Sequence, residues 1–550
     1  MVITQYGRMK SMKKRLAMAL AAMLLLTGCG RAVPVETLPM PTAAPTVAEI
    51  TPEIAGQIVD IVLKSQEISV EGSDAVHTSR DIVYYENRTH YESGNPYGDG
   101  DTADMHTPEE AAAHLVVNIT APGTYRLSGR LDLGQIRIDL GKDAREDPTA
   151  VVNLILDGAE ITCTVAPAIV FVNVYECDGS RTQDNATPDV DTSAAGANLI
   201  LAENSRNTVS GSYVAKIYKD KEGEKKLVKE DGAVYSYMSM NVYGPGSLDI
   251  QAENEGLDSE LHLTIYGGSI AIRSGNDGIN TNEDGVSVTT ILGGRLHIMA
   301  GLKEEGDGID SNGYLVIRGG TVVSAAHPAS DAGLDSDLGS FIHGGTVIAL
   351  GAPMDWAESD SRQVTMNLQF ASRQSSDSAI VVAREDGTVI FAYDPAMDEV
   401  LGENARAYQG AIISCPHFMV GDSYEVFVGA AVSGQETGGI YDVTVPVSFT
   451  GGVQMAYTGT DVMRGPGGFG PGGGGQRPEG GFGIPEDRDP DRMPPPPEGD
   501  FTIPPQPPTD NPAMPQGQMP PGMGSQDGPV QTIFYMQDQV NFFSGLTPVH

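Results

Sequence analysis

The sequence has little positive charge and few aromatic residues. Its 550 residues include 34 lysines and arginines against 73 aspartates and glutamates, which gives a formal net charge of −39. A surface with this balance repels nucleic acids and anionic lipids, and its natural small partners are cations. We therefore expect no nucleic-acid partner. Trp356 is the only tryptophan, and we expect it to pack in a core rather than to stack on a sugar.

Cysteine is also scarce, which limits the cross-links available. The chain contains Cys29, Cys163, Cys177 and Cys415, and their spacings match no zinc-binding pattern. Cys163 and Cys177 can form a disulfide or remain buried free thiols, and the sequence leaves both open. The histidines fall at unrelated positions of the chain, so we expect no zinc site.

Long apolar runs are missing except near the N-terminus. A basic stretch precedes the apolar run Leu16–Leu26, which is too short to span a bilayer, and "LTGC" then ends at Cys29. This order resembles a bacterial lipoprotein signal; a plain signal peptide is the alternative. We expect residues 1–28 to be the signal peptide, Cys29 to carry the lipid and residues 29–56 to form a Pro/Thr-rich tether. The protein would then be anchored at the extracellular face of the bacterial cell membrane.

The sequence does contain an internal repeat. Gly-Gly or Gly-Pro-Gly ends at residues 246, 268, 294, 320 and 345, so successive repeats span 22, 26, 26 and 25 residues. Tyr314–Ala326, "YLVIRGGTVVSAA", is typical of two short strands with a glycine corner between them. Paired glycines weaken a helix but suit the corners of a solenoid. We predict an all-β protein in which residues 57–359 form a right-handed parallel β-helix.

Other segments lack this repeat. Thr107–Leu115 has the cap-like threonine and early acids of a short helix. Residues 360–460 are predicted to form a C-terminal antiparallel β module, because Ala379–Pro395 has two apolar runs around a turn. Residues 461–530 are rich in Gly and Pro and are expected to be disordered. Residues 531–550 are apolar enough for a strand or docking segment. The oligomeric state is left open.

Each repeat also carries an acidic phrase. "NEGLDS", "NDGINT", "GDGIDS" and "DAGLDS" begin at residues 254, 276, 306 and 331. On adjacent coils of a parallel solenoid, equivalent residues lie roughly 4.8 Å apart. Bare carboxylates at that spacing repel by roughly 3–4 kcal/mol at an effective dielectric near 20. Ca²⁺, which takes roughly six to eight oxygen ligands, would neutralise them. We predict that Ca²⁺ is held by Glu255, Asp258, Asp277, Asn280, Asp307, Asp310, Asp331 and Asp335. The alternative, that these residues only form turns, explains one phrase better than four in phase.

Residues from about 57 to 460 resemble a family of bacterial secreted and lipid-anchored carbohydrate-binding domain-containing proteins. The resemblance lies in Thr124–Leu140, Val152–Thr162, Leu201–Ser212, "DGAVYS" at residues 231–236 and the acidic phrases. It implies a calcium-binding parallel β-helix that binds acidic sugars such as polygalacturonate. Two departures, the insertion "LKEEG" at Leu302–Gly306 and a shifted aspartate in "DAGLDS", leave the number of metal sites open.

The sequence patterns predict a non-enzymatic cell-surface lipoprotein that holds Ca²⁺, and the resemblance implies that it binds acidic polysaccharide through this Ca²⁺. Calcium would join the carboxylates of protein and sugar, which otherwise repel each other. Arg273, Lys303 and Arg318 are the candidate ligand-binding bases. A β-helix polysaccharide lyase is the first alternative; one of these bases, or Arg295, would then remove the proton beside the uronate carboxyl. Hydrolysis by paired carboxylates and a non-catalytic adhesive or structural wall protein also stay open.

Overall fold

A computed structural model of the protein describes residues 56–70, 73–86, 98, 100, 102–218, 226–303, 305–461 and 530–549. Residues 1–55, with the predicted signal peptide, Cys29 and nearly all of the tether, lie outside the described residues. So does the Gly/Pro-rich segment between residues 461 and 530. The described residues belong to one unit, Pro45–His550. Among them, no helix has the length and apolar character needed to cross a bilayer.

The described chain consists of β-strands and turns with little helix, so the all-β prediction is confirmed. Before residue 231 the strands are β1 (Ile58–Ser65), β2 (Glu67–Val70), β3 (Val76–Ser79), β4 (Leu115–Ile119), β5 (Gly123–Leu131), β6 (Gly134–Asp139), β7 (Val152–Thr162), β8 (Ile169–Asn173), β9 (Ala197–Leu201), β10 (Arg206–Gly211), β11 (Val214–Tyr218) and β12 (Lys226–Glu230). The repeats contain β13 (Gly232–Ser236), β14 (Met240–Tyr243), β15 (Ser247–Ala252), β16 (Glu255–Ser259), β17 (His262–Ile265), β18 (Ser269–Ser274), β19 (Ile279–Thr281), β20 (Val288–Ile291), β21 (Arg295–Met299), β22 (Tyr314–Ile317), β23 (Thr321–Ala325), β24 (Gly339–Ile342) and β25 (Thr346–Gly351).

The C-terminal strands are β26 (Thr365–Gln374), β27 (Ile380–Ala383), β28 (Val389–Tyr393), β29 (Tyr408–Ser414), β30 (Ser423–Ser433), β31 (Glu436–Thr437), β32 (Ile440–Tyr441), β33 (Ser448–Ala456), β34 (Phe534–Tyr535) and β35 (Val540–Pro548). Helix α1 (Pro108–Ala113) begins at Thr107, whose side chain accepts a hydrogen bond from the Glu110 amide, so the predicted short helix is confirmed. Single turns of 3₁₀-helix occur at Lys142–Glu146, Gln183–Asn185, Pro395–Met397 and Gly402–Asn404.

Three parallel ladders run through the repeats. The first ladder joins β7, β9, β14, β17, β20, β22 and β24. The second ladder joins the end of β7 to β10, β15, β18, β21, β23 and β25. The third ladder joins β4, β6, β8, β13, β16 and β19. The chain visits the third, first and second ladders in turn, as in β16, β17 and β18, so each strand pairs with the strand one repeat later.

Apolar side chains fill the interior between the ladders. In β18, Ile270 and Ile272 are buried while Ser269 is exposed, and buried residues alternate in the same way in β10 and at the start of β15. Successive repeats approach closely at the glycine corners. Gly320 has a φ of 81°, and a Cβ there would lie 2.7 Å from the carbonyl oxygen of Gly294. The corner therefore requires glycine for its backbone angle and for the spacing between repeats.

The C-terminal strands pair mainly antiparallel. β27 and β28 form the predicted hairpin, and β29 pairs antiparallel with both β25 and β26. β35 returns to pair in parallel with β26, with Thr365 opposite Val540. Trp356 is buried in the core, as predicted. Cys163, Cys177 and Cys415 are free thiols.

Candidate functional site

The third ladder brings the acidic phrases into register. Asp258 on β16 lies opposite Asn280 on β19. The backbone amides of Asp310 and Asp335 each donate, at 2.8 Å, to the carbonyl of the isoleucine one repeat earlier. These four residues therefore occupy equivalent positions of successive repeats, as the spacing of the phrases predicts.

A second set of acids lies three residues earlier in each repeat. The amides of Gly256 and Gly278 donate to the carbonyls of Asp277 and Asp307 at 3.1 and 3.0 Å, which places Glu255, Asp277 and Asp307 in successive repeats. The Asp277 carboxylate accepts from the Asp307 amide at 2.7 Å. We call the two sets, Glu255, Asp277 and Asp307 with Asp258, Asn280, Asp310 and Asp335, the acidic columns.

The glycine within each phrase is required by the packing of the repeats. A Cβ on Gly256 would lie 2.4 Å from the Gly278 carbonyl oxygen, and one on Gly278 would lie 2.5 Å from that of Gly308. A Cβ on Gly308 would lie 1.9 Å from Ser324 Oγ. Any side chain here would force the repeats apart, so glycine keeps the flanking acids close.

The columns begin at a cluster of three buried carboxylates. Asp231, Glu255 and Asp258 each offer an oxygen, and these oxygens lie within 4.8 Å of one another. Among the described residues, Glu255 Oε2, Asp258 Oδ2 and Asn280 Oδ1 have no hydrogen-bond partner. Buried oxygens that lack a donor are costly. A cation among them would remove that cost.

Burial and mutual repulsion change the acidity of these groups. Burial raises the pKa of Glu255 and Asp258 well above the ordinary carboxyl value, and Asp231 raises both further. Burial, followed by neighbouring acids of the columns, likewise raises the pKa of Asp277, Asp307 and Asp310. Without a counterion, the folded protein therefore disfavours the ionised form of these carboxyls.

The acidic columns end near Asp355, which no repeat pattern indicates. Asp331 accepts from the Gly306 amide at 3.1 Å and thus lies beside the columns, despite its shifted position in the phrase. Burial and then Asp335 raise the pKa of Asp355 to about 7. Asp355 follows the last phrase, outside the glycine repeat, so sequence reasoning missed it.

Lys229 is a base at this cluster that sequence reasoning also missed. Its ammonium group forms an ion pair with Asp231. Burial lowers the pKa of Lys229, but Asp231 and Glu255 outweigh burial and raise the pKa overall. Lys229 is therefore a protonated, partial counterion. The signal that could have revealed it is "DGAVYS", which begins at Asp231 and has only the first of the two acids of an acidic phrase.

The three predicted ligand-binding bases lie apart and have other partners. Arg273 forms an ion pair with Asp249 at 3.1 Å and donates to the Glu399 carbonyl at 2.9 Å. Lys303 lies 3.3 Å from Glu253. Arg318 forms an ion pair with Asp189. The structure therefore does not bring the three bases together at the acidic columns.

The donor set fits a hard divalent cation. Every candidate ligand is a carboxylate or amide oxygen, and oxygen ligands suit Ca²⁺ rather than metals that prefer thiolate or imidazole. The unpartnered oxygens of Glu255, Asp258 and Asn280 are the ones such an ion would satisfy.

Part of the chain is similar to known carbohydrate-binding domain-containing proteins. Residues 114–364, which contain all four acidic phrases, match the family model described as "Carbohydrate-binding domain-containing protein". A curated relative with this description, from Acetivibrio thermocellus, is 30% identical over 159 residues, which are 29% of this chain and 45% of the relative. The aligned part of the chain thus spans less than half of that relative's length.

A solved structure entitled "Structure of the polysaccharide lyase-like protein from C. thermocellum, Gadolinium derivative" is also similar to this chain. It has 20% sequence identity and a TM-score of 0.31, over 52% of this chain and 93% of that one.

Proposed function

We propose that this protein binds an acidic polysaccharide of the polygalacturonate type through Ca²⁺ held by the acidic columns. The observation that carries the proposal is the set of buried oxygens of Glu255, Asp258 and Asn280 without a partner among the described residues. The family match to a carbohydrate-binding domain supplies the class of ligand. An acidic sugar fits because its own carboxylates are oxygen ligands for the same metal.

The proposal includes the architecture. The fixed order in which the chain visits the three parallel ladders supports a right-handed parallel β-helix, since parallel crossovers are right-handed in about 98% of known cases. The acidic columns would then run along one side of the coil. An extended polysaccharide would lie along such a row, because the acids of the columns and the sugar units of the polymer both recur at short intervals.

The residues of the columns have distinct parts in this proposal. Glu255, Asp258 and Asn280, with Asp231 beside them, would hold the first ion; Asp277, Asp307, Asp310, Asp331 and Asp335 offer further ligands. Asn282 donates to Asp258 Oδ1 at 2.8 Å and so orients that carboxylate. Bound Ca²⁺ would supply the positive charge that joins protein and uronate carboxylates. Lys229 holds the Asp231 carboxylate in place.

We further propose that the protein acts without catalysis at the outer face of the cell membrane, anchored through Cys29. The lipoprotein-like order of residues 1–29 supports the location. A lyase needs a base that can accept a proton. Lys229 is protonated because its net pKa is raised. Arg273, Lys303 and Arg318 are engaged with acids elsewhere, which favours binding over β-elimination.

Calorimetry tests this proposal. Polygalacturonate is titrated into the protein with Ca²⁺ and with EDTA, while absorbance of unsaturated uronate product is followed in parallel. Binding only in the presence of Ca²⁺, with no product, is the expected result. Formation of product would establish the lyase alternative, and absence of binding in both buffers would favour the structural wall protein.

A further inference from the structure

A cavity of about 320 Å³ lies between the first ladder and the loop that joins β8 to β9. Its lining differs from the acidic columns and shares no residue with them. The loop contributes acids and the ladder contributes an aromatic ring, an apolar side chain, a hydroxyl and a guanidinium: Asp189, Asp191, Tyr266, Leu292, Thr290 and Arg318. Its volume is within the range of small-ligand pockets.

The loop wall of this cavity is fastened to the ladder. Thr192 Oγ1 is 2.7 Å from Thr264 Oγ1 and 2.7 Å from Asn241 Oδ1. Nearer the start of the loop, the Asp178 carboxylate contacts His262 Nε2 at 3.2 Å. Arg318 on the ladder side forms an ion pair with Asp189 of the loop. The cavity is therefore bounded by contacts on both sides.

One buried group of the cavity lacks a partner. Thr290 is only 5% exposed, and among the described residues its Oγ1 has no hydrogen-bond partner. Its neighbours on the same face, Thr264 and Asn241, are hydrogen-bonded to the loop. A buried hydroxyl without a partner is costly, and a ligand in the cavity would supply the missing hydrogen bond.

The remaining lining residues complement a polyhydroxylated ring. Tyr266, which stacks on Tyr243 with ring centroids 4.4 Å apart, and Leu292 give an apolar surface for the C–H face of a sugar. The carboxylates of Asp189 and Asp191 accept hydrogen bonds from hydroxyls, and the Arg318 guanidinium donates them. We propose that this cavity binds one neutral sugar unit, as a second carbohydrate site that needs no metal ion; the carbohydrate class rests on the proposed function.

The charge of the cavity favours a neutral over an acidic sugar. Hydrogen bonds from Ser193 lower the pKa of Asp191, so Asp191 is ionised at neutral pH. The positive charge of Arg318 is already paired with Asp189. A uronate here would add a further negative charge beside two carboxylates, whereas a neutral sugar adds none.

An array of neutral tetrasaccharides of glucose, galactose, mannose and xylose, probed with the full chain in EDTA, tests this inference. We expect at least one of them to bind. Thr290→Val should weaken that binding by about fivefold or more through loss of one hydrogen bond, without lowering the melting temperature. Arg318→Ala should weaken it by about tenfold or more, while Arg206→Ala, at an exposed position of β10, should leave it unchanged.

A further variant distinguishes this neutral-sugar site from the calcium site of the proposed function. Asp258→Asn should weaken calcium-dependent polygalacturonate binding by about tenfold or more and leave neutral-sugar binding intact. Failure of every neutral tetrasaccharide to bind in EDTA, or binding that is insensitive to both Thr290→Val and Arg318→Ala, would overturn the second site. Neither outcome depends on whether polygalacturonate binds with Ca²⁺.

Discussion

Buried carboxylates that lie next to one another are the residue-scale basis of the proposed calcium site. Asp231, Glu255 and Asp258 have oxygens within 4.8 Å of one another, and the single positive charge of Lys229 forms an ion pair with Asp231. An uncompensated buried charge destabilises a fold, so these residues make sense together only if a cation or protons neutralise them. Each acid therefore costs stability in the apo protein and contributes affinity in the calcium-bound protein.

Asp258→Asn tests this double role. In EDTA at pH 8 the substitution should raise the free energy of unfolding by about 1–3 kcal/mol, because it removes one charge from a repelling buried cluster. It should also lower Ca²⁺ affinity by about tenfold or more. Urea unfolding and calcium titration calorimetry measure the two effects.

The exposed Asp360 provides the matched control for Asp258. Asp360→Asn removes the same charge outside the columns and should change neither the free energy of unfolding nor the Ca²⁺ affinity. If Asp258→Asn destabilised the apo protein and left Ca²⁺ affinity unchanged, Asp258 would be a structural turn residue rather than a ligand.

At the scale of elements, the ladders hold the phrases in register and the glycines set how closely the repeats approach. The sequence predicted the acidic columns because the period of the glycine pairs fixes which residues share a position. It did not reveal Asp355, which lies beyond the last phrase, or Lys229, which precedes an incomplete one. The loop wall of the cavity escaped prediction too, since the contact of Arg318 with Asp189 joins segments distant in sequence. Periodicity shows which repeats stack, whereas non-repeated segments are placed by tertiary contacts.

Two glycines with nearly the same φ allow the cost of backbone strain to be measured separately from the cost of close packing. Gly320 and Gly387 have φ of 81° and 83°, but only at Gly320 would a Cβ meet backbone, at 2.7 Å, while Gly387 has open space. Gly387→Ala should cost about 1 kcal/mol through backbone strain alone. Gly320→Ala should cost at least about 2 kcal/mol more. Equal losses in urea unfolding would show that the repeats do not pack as closely as the structure has them.

The final strand, β35, contributes to the core. Phe543 is 2% exposed, and its ring centroid lies 4.8 Å from that of Tyr457 and 4.9 Å from that of Phe534. Phe543→Ala should lower the free energy of unfolding by about 3–5 kcal/mol. Tyr535 in the preceding strand β34, which is 52% exposed, provides the control. Tyr535→Ala should change the free energy of unfolding by less than about 1 kcal/mol. Similar small effects at both positions would mean that residues 531–549 do not dock.

At the scale of the whole molecule, the net charge of −39 is concentrated in part along one ladder. This arrangement links the stability of the fold to pH and to calcium. Below the ordinary carboxyl pKa the buried acids are neutral and their repulsion vanishes. Above the raised pKa values they must ionise, and the stability that came from their neutral forms is lost unless a cation compensates.

The melting temperature should therefore fall as pH rises in EDTA. Asp355 sets the pH range of this fall, because burial and Asp335 raise its pKa from 3.8 to about 7. The contribution of the neutral Asp355 carboxyl to the free energy of unfolding is fully present below about pH 4 and is lost as the pH rises through about 7. Calcium should raise the melting temperature at pH 8 and flatten its dependence on pH. Differential scanning calorimetry from pH 5 to 8 measures this, and a melting temperature in EDTA that stayed constant or rose with pH would contradict it.

Anomalous diffraction from a crystal grown in CaCl₂ tests calcium binding most directly. Density for an ion should lie about 2.3–2.6 Å from oxygens of Glu255, Asp258 and Asn280, and its occupancy should fall in crystals of Asp258→Asn grown at the same Ca²⁺ concentration. Well-ordered carboxylates in wild-type crystals, with no anomalous peak between them at millimolar Ca²⁺, would contradict the proposed site.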